Sequence, residues 1–179
     1  MAAMGRPPRH DEDALLDAAV ALAAAHGPGG VTVAAVARAA GAPSGSLYHR
    51  FPSASALLAA LWLRTLERFQ EGFLDALRRS PEHAARHVVA WSRAHPEEAL
   101  VLLYGSAGFG EPGWAVEARD RLQADNARIA DVLGADERLI LAVVDVPYAI
   151  VRRHLHATGT IPATAEDLAA EAAAALLPG

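Results

Sequence analysis

VTVAAVARAAGAPSGSLYHRF, residues 31–51, reads as two short helices joined by a tight turn. The Thr32 hydroxyl is placed to cap the first helix, Val33, Val36, Ala37 and Ala40 give it an apolar stripe, and Gly41 supplies the chain reversal. Pro43 biases Ala42 toward an extended conformation, so the second helix begins only at Ser44 and runs to Phe51. Leu47 and Phe51 share one face of that helix and turn inward. Ser44, Gly45, Ser46, Tyr48, His49 and Arg50 are left wholly or partly outward. They are small, hydroxylic and basic groups, able to approach a DNA groove and its phosphates. The pattern is that of a helix-turn-helix.

Working outward, residues 14–62 resemble the amino-terminal DNA-binding domain of the TetR family of bacterial transcriptional regulators. The most specific part is LYHRFPS, residues 47–53, following Gly41 and preceding an apolar helix. The resemblance implies an all-α fold: an amino-terminal three-helix helix-turn-helix domain, residues 1–53, joined by a long helix to a carboxy-terminal helical ligand-binding and dimerisation domain, residues 54–179. It also implies a cytoplasmic homodimer that binds double-stranded DNA at a palindromic operator as a repressor and is released by an unknown small-molecule effector. Tyr48 and Arg50 align with phosphate-contacting positions, Ser44, Gly45 and His49 with groove contacts, and Thr32 with the cap near the DNA backbone. Three positions depart from the family pattern: Ser44, Ala34 and Ala54 are small and uncharged where basic or polar residues are common. That departure motivates an alternative, a regulator-like helical module with weakened DNA contacts that acts through a ligand or protein partner.

The composition agrees with this class. A length of 179 residues suits two helical parts of roughly 50 and 120 residues. The hydrophobic share of 53% is inflated by alanine, which favours helix but buries little area. The chain has no cysteine, which fits a reducing compartment and excludes a disulfide framework or thiolate metal site. No run of about 18 uncharged apolar residues is present, so no membrane span is expected. Net charge is −5, yet within residues 1–60 Arg6, Arg9, Arg38 and Arg50 balance Asp11, Glu12, Asp13 and Asp17, so the acidity lies further on. Binding would then rest on few phosphate contacts per protomer, which dimerisation doubles.

Residues 1–10 are expected to form an arm whose Arg6 and Arg9 either reach DNA or only solubilise the chain. A first helix starts near residues 11–13 and stops at Gly27. A long helix over 54–79 carries Leu57, Leu61, Trp62, Phe69, Phe73 and Leu77 on a stripe too extended for one small domain, so it bridges both parts. Helices are predicted over 81–95, from Pro96, and over 114–133, with a glycine-rich loop over 105–113. A second long helix over 135–157 should kink at Pro147, and an alanine-rich helix over 164–177 closes the chain.

Aromatics make up only 6% of the chain, which makes each one informative about a core or a pocket. Trp62, Phe69, Trp91, Tyr104, Phe109, Trp114 and Tyr148 are candidates for a ligand cavity or for ordinary core. Asp145, inside an apolar helix, is expected to face a wet cavity as a ligand anchor or to form an ion pair, with Tyr148 and Arg152 on its face. His83 with His87 and His154 with His156 lack a third ligand, so no metal is expected. No phosphate loop, nucleophile motif or paired carboxylates point to an enzyme, and no cofactor is expected. Under the resemblance the last two helices dimerise, with Ala169, Ala170, Ala172, Ala173 and Ala174 allowing close approach and Leu168, Leu176 and Leu177 adding apolar area.

Overall fold

The computed structural model describes residues 9–177. Arg6, with most of the expected basic arm, lies outside the described residues. Helix α1 (Arg9–His26) begins at Arg9 rather than near residue 11, and Leu15, Leu16, Ala19, Val20 and Ala23 form its buried face. It ends where Gly27 takes φ 73°, and a 3-10 turn (Pro28–Gly30) leads on. In α2 (Val33–Ala39) the Thr32 hydroxyl accepts the Ala35 N–H at 3.1 Å, the cap the sequence predicts. Gly41, at φ 63°, turns the chain into α3 (Ser44–Arg50), where Leu47 and Phe51 are buried.

Helix α4 (Ala54–Arg79) is capped by Ser53, whose Oγ accepts the Ala56 N–H at 3.0 Å. Pro81 and Pro96 open α5 (Pro81–Ala94) and α6 (Pro96–Leu103), where a missing N–H costs nothing. The stretch expected as a plain loop folds locally instead into one helical turn, α7 (Gly105–Gly108), and a 3-10 turn (Glu111–Gly113). Only Gly105 and Gly110 in it need positive φ, so the intervening residues are free to coil. Helix α8 (Val116–Leu133) follows.

The kinked helix expected over 135–157 is instead two helices with a widened turn between them. Helix α9 (Glu137–Ile140) runs into a π-helical turn (Leu141–Asp145) and then α10 (Val146–Thr158). The Val146 N–H bonds to the Leu141 carbonyl, five residues back. Pro147 has no N–H to give and its ring would press on the carbonyl four residues earlier, so widening the preceding turn relieves the clash. Helix α11 (Thr164–Leu176) ends the chain. No strand occurs among the described residues.

Two cores result. The first joins α1, α2, α3 and the first half of α4 with Val101, Phe109, Trp114 and Leu122. The second joins Phe73, α5, the π-helical turn, α10 and α11. Arginines tie the elements: Arg64 of α4 reaches Asp17 of α1 at 2.8 Å, and Arg68 reaches Glu98 of α6 at 2.9 Å. Arg93 of α5 meets Glu166 of α11 at 2.6 Å.

Three of the five alanines expected at a dimer seam, Ala169, Ala170 and Ala173, are buried in the chain itself, where α11 packs closely on α5. They recur with Ala165 at helical spacing toward α5, and Leu168 on the opposite side is left 53% exposed.

Gly72 is where α4 and α5 approach closely, since a Cβ there would fall inside the His87 ring. Gly72→Ala is expected to lower the free energy of unfolding by about 1–3 kcal/mol, and adding His87→Ser should restore much of it. Urea denaturation of both variants measures the difference.

Candidate DNA-binding surface and ligand cavity

Helix α3 is held by its inward side: Leu47 has no exposure, and α2 and Phe51 pack beside it. Its outward side carries Gly45, Tyr48 and His49, with Tyr48 56% exposed. Ser46 and Arg50 are half-buried, and the Arg50 guanidinium lies 3.4 Å from the Ser46 hydroxyl. Ser44 opens the helix. Thr32 is exposed at the start of α2, so the predicted DNA-contacting residues lie on α3 and at the amino terminus of α2. Gly45 has open space where a Cβ would stand and no positive φ. Nothing inside the protein therefore explains a glycine there, although glycine costs about 1 kcal/mol in a helix.

A cavity of about 400 Å³ lies between α4, α5, α6, α8, the π-helical turn and α10. Trp62, Leu66, Phe69, Gln70 and Phe73 of α4 form one wall, Leu102 and Leu103 of α6 a second, and Ile140, Val143, Val144 and Tyr148 a third. Volume and apolar lining are those of a small-molecule site. Tyr148 donates its hydroxyl to the Leu103 carbonyl at 3.2 Å, which links α10 to α6 across the cavity.

Of the eight residues singled out for a ligand, Trp62, Phe69 and Tyr148 line this space. Trp91 stands behind the lining, edge-on to Phe69 with ring centres 5.3 Å apart. Phe109 and Trp114 belong to the first core instead, Phe109 with no exposure and the Trp114 Nε1–H bonded to the Phe109 carbonyl at 2.9 Å. Tyr104 is half-exposed and covers the turn at Gly27. Asp145 is exposed and faces solvent rather than a wet cavity, because the π-helical turn rotates it away from the interior face that Ala142 and Val143 occupy. Its expected role as a buried anchor is thereby corrected.

Sequence reasoning missed Gln70, whose amide is 4% exposed and whose Oε1 has no hydrogen-bond partner among the described residues. A polar residue on an apolar helical stripe was the available signal. It also left open where His87 points: the ring packs against Phe69, with Nε2 3.4 Å from the Phe69 carbonyl.

Residues 15–61 match the model of the bacterial regulatory proteins, tetR family. No curated protein matches the chain. Among solved structures, a TetR family transcription regulator from Marinobacter aquaeolei VT8 aligns with TM-score 0.72 and 19% identity, over 93% of this chain and 94% of that one. A TetR-like transcriptional regulator from Rhodococcus sp. RHA1 aligns with TM-score 0.67 and 25% identity, over 97% and 100% of the two chains. The regulator FadR from Bacillus subtilis, solved in complex with stearoyl-CoA, aligns with TM-score 0.68 and 17% identity, over 93% and 98%. Residues 15–61 thus carry the TetR-family DNA-binding segment, and the fold of the whole chain is that of these solved regulators. The matched segment runs from the buried face of α1 to the first turns of α4.

Two outcomes follow from this geometry. Gly45→Ala should leave the thermal midpoint unchanged or higher, since its methyl meets nothing; if a DNA backbone or base edge packs there, the same variant weakens DNA binding. Calorimetry and mobility shift on one preparation separate the two. Burial holds the His87 imidazole below its ordinary value of 6.5, against a weaker opposing pull from the Phe69 carbonyl. A depressed folded value means the unfolded chain takes up the proton first, so stability is complete above pH 6.5 and declines as pH falls below it. His87→Gln should remove that decline in urea midpoints measured across the acid range.

Proposed function

We propose that the protein is a homodimeric repressor that a small-molecule ligand releases from a palindromic operator, with residues 1–53 contacting DNA and 54–179 holding ligand and partner. The observation that carries this reading is the place of the cavity: two of its walls, α4 and α6, also pack on α1 of the DNA-binding part. A ligand that favours a different spacing of α4 and α6 acts directly on the seat of α1, through Arg64 with Asp13 and Asp17 and through Arg68 with Glu98. Differential affinity of a few kcal/mol for the two arrangements is sufficient.

On the DNA side, Thr32, Ser44, Gly45, Ser46, Tyr48, His49 and Arg50 are the proposed contacts. Asp13 and Asp17 of α1 are both engaged by Arg64 of α4. For the dimer, Leu168 at 53% and Leu141 at 41% exposure are large apolar side chains that a partner would cover. Recovery of bound fragments from source DNA, with the region upstream of the chain's own gene included, tests the DNA reading. A palindromic site lost with Tyr48→Ala, a variant that leaves the fold intact, is the expected result. Light scattering should give a dimer that Leu168→Glu splits.

A second reading, a regulator-like module with weakened DNA contacts, is favoured by one observation. Ala34 and Ala54, both exposed beside α3, offer no charge to phosphates. No enriched fragment at low salt would select it.

A further inference from the structure

The cavity wall contains no aspartate, glutamate, arginine, lysine or histidine among the described residues. Arg64 and Arg68 are engaged with Asp13, Asp17 and Glu98; on α8 one carboxylate oxygen of buried Asp125 is held by Arg128 at 2.6 Å while its Oδ2 is buried without a hydrogen bond. A carboxylate, phosphate or ammonium entering this space would lose its water and gain no counter-charge, which costs far more than apolar contact returns.

Asn126 of α8 lines the cavity and is itself solvent-exposed; the other polar groups in the wall divide into satisfied and unsatisfied ones. The Ser92 hydroxyl donates to the Val88 carbonyl at 2.7 Å, and the Tyr148 hydroxyl to that of Leu103. Gln70 is different: it is 4% exposed, it lines the cavity, and its Oε1 is unpaired among the described residues. Trp62, two turns earlier on α4 and about 12 Å away along the axis, also lines the space and has an unpaired, buried Nε1–H. A buried amide oxygen without a partner is a standing cost. The terminal amide torsion is soft, so either its oxygen or its N–H₂ can turn to an incoming group.

We infer that the cavity takes an uncharged, predominantly apolar small molecule bearing a hydroxyl, carbonyl or amide group that pairs with the Gln70 carboxamide. This rests on the reading of the cavity as the effector site and specifies the chemistry it accepts. The charge-free wall rejects acids and amines of the same skeleton, and Gln70 orients the accepted molecule along α4.

Four probes of one chain length test it by calorimetry on the full protein at neutral pH: 1-decanol, methyl decanoate, decanoate and decylammonium. The two neutral probes are expected to bind at least about tenfold more tightly than the two ions, since an unpaired buried charge is the larger penalty. Gln70→Leu should weaken 1-decanol by about three- to tenfold, the worth of one neutral hydrogen bond, while its thermal midpoint holds or rises. Val144→Trp, or Leu102→Trp on the facing helix, fills the space and should abolish binding of every probe. Decanoate or decylammonium binding as tightly as 1-decanol, and lost on filling, would overturn the ligand class and leave the effector site standing. Unchanged 1-decanol affinity in Gln70→Leu would remove Gln70 from the site. Binding by none of the four, or binding untouched by either filling variant, would overturn the effector site itself.

Discussion

One apolar stripe along α4 sets the position of nearly every other element. Its amino-terminal half supplies Leu57, Leu61 and Leu63 to the first core, and its carboxy-terminal half supplies Phe73 and Ala76 to the buried face below. The helix is therefore too long to belong to either core alone. A continuous hydrogen-bonded helix keeps its length, so displacement at one end has to appear at the other as tilt or translation. The cavity lies on residues 62–73 of that helix, lined mainly by second-core residues such as Phe73, Val88, Leu133, Val143 and Val151, and it reaches the first core at Trp62 and Leu66.

Charge reinforces the same junction. Arg64 is largely covered, with 11% of its side chain exposed, and it reaches the Asp13 carbonyl and carboxylate as well as Asp17. Glu98 is similarly covered at 12% and bonds Arg68. Partly buried pairs are weaker evidence for net stability than for a fixed relation between the elements they join, because desolvation offsets most of the attraction. Their arrangement makes α1, α4 and α6 one unit. Asp13 and Asp17 of the amino-terminal part are thus engaged internally, and the outward surface of α3 carries no acid of its own.

The helix-turn-helix was legible because its local chemistry is strict: one hydroxyl cap at Thr32, one positive-φ glycine at Gly41, one proline before α3, and two inward residues, Leu47 and Phe51. The bounds of α4 were legible for the same reason, from PSAS before it and Pro81 after it. The π-helical turn before Pro147 was not, since a proline in a helix can be absorbed by a kink or by a widened turn, and only packing of Val143 and Val151 in the second core decides. The cavity lining was half legible. Aromatic residues are scarce, but Phe109 and Trp114 are as apolar as Trp62 and Phe69, and nothing local separates a wall from a core. Gln70 is separated by long-range packing alone.

That cavity is also a stability question. Native interiors hold few voids larger than a water molecule, because atoms lining a void lose their contacts on one side. A space of about 400 Å³ beside α4 is maintained against collapse by rigid neighbours: the π-helical turn, the Tyr148 bond to the Leu103 carbonyl, and α8 laid along α4 with Arg121 on Glu67 at 2.8 Å. Filling it returns the forgone contacts, and whatever fills it stabilises the arrangement it fits in proportion to its occupancy. Two of the cavity's walls, α4 and α6, also seat α1. The cavity therefore extends from the second core to α4 and α6, the helices in direct packing contact with α1.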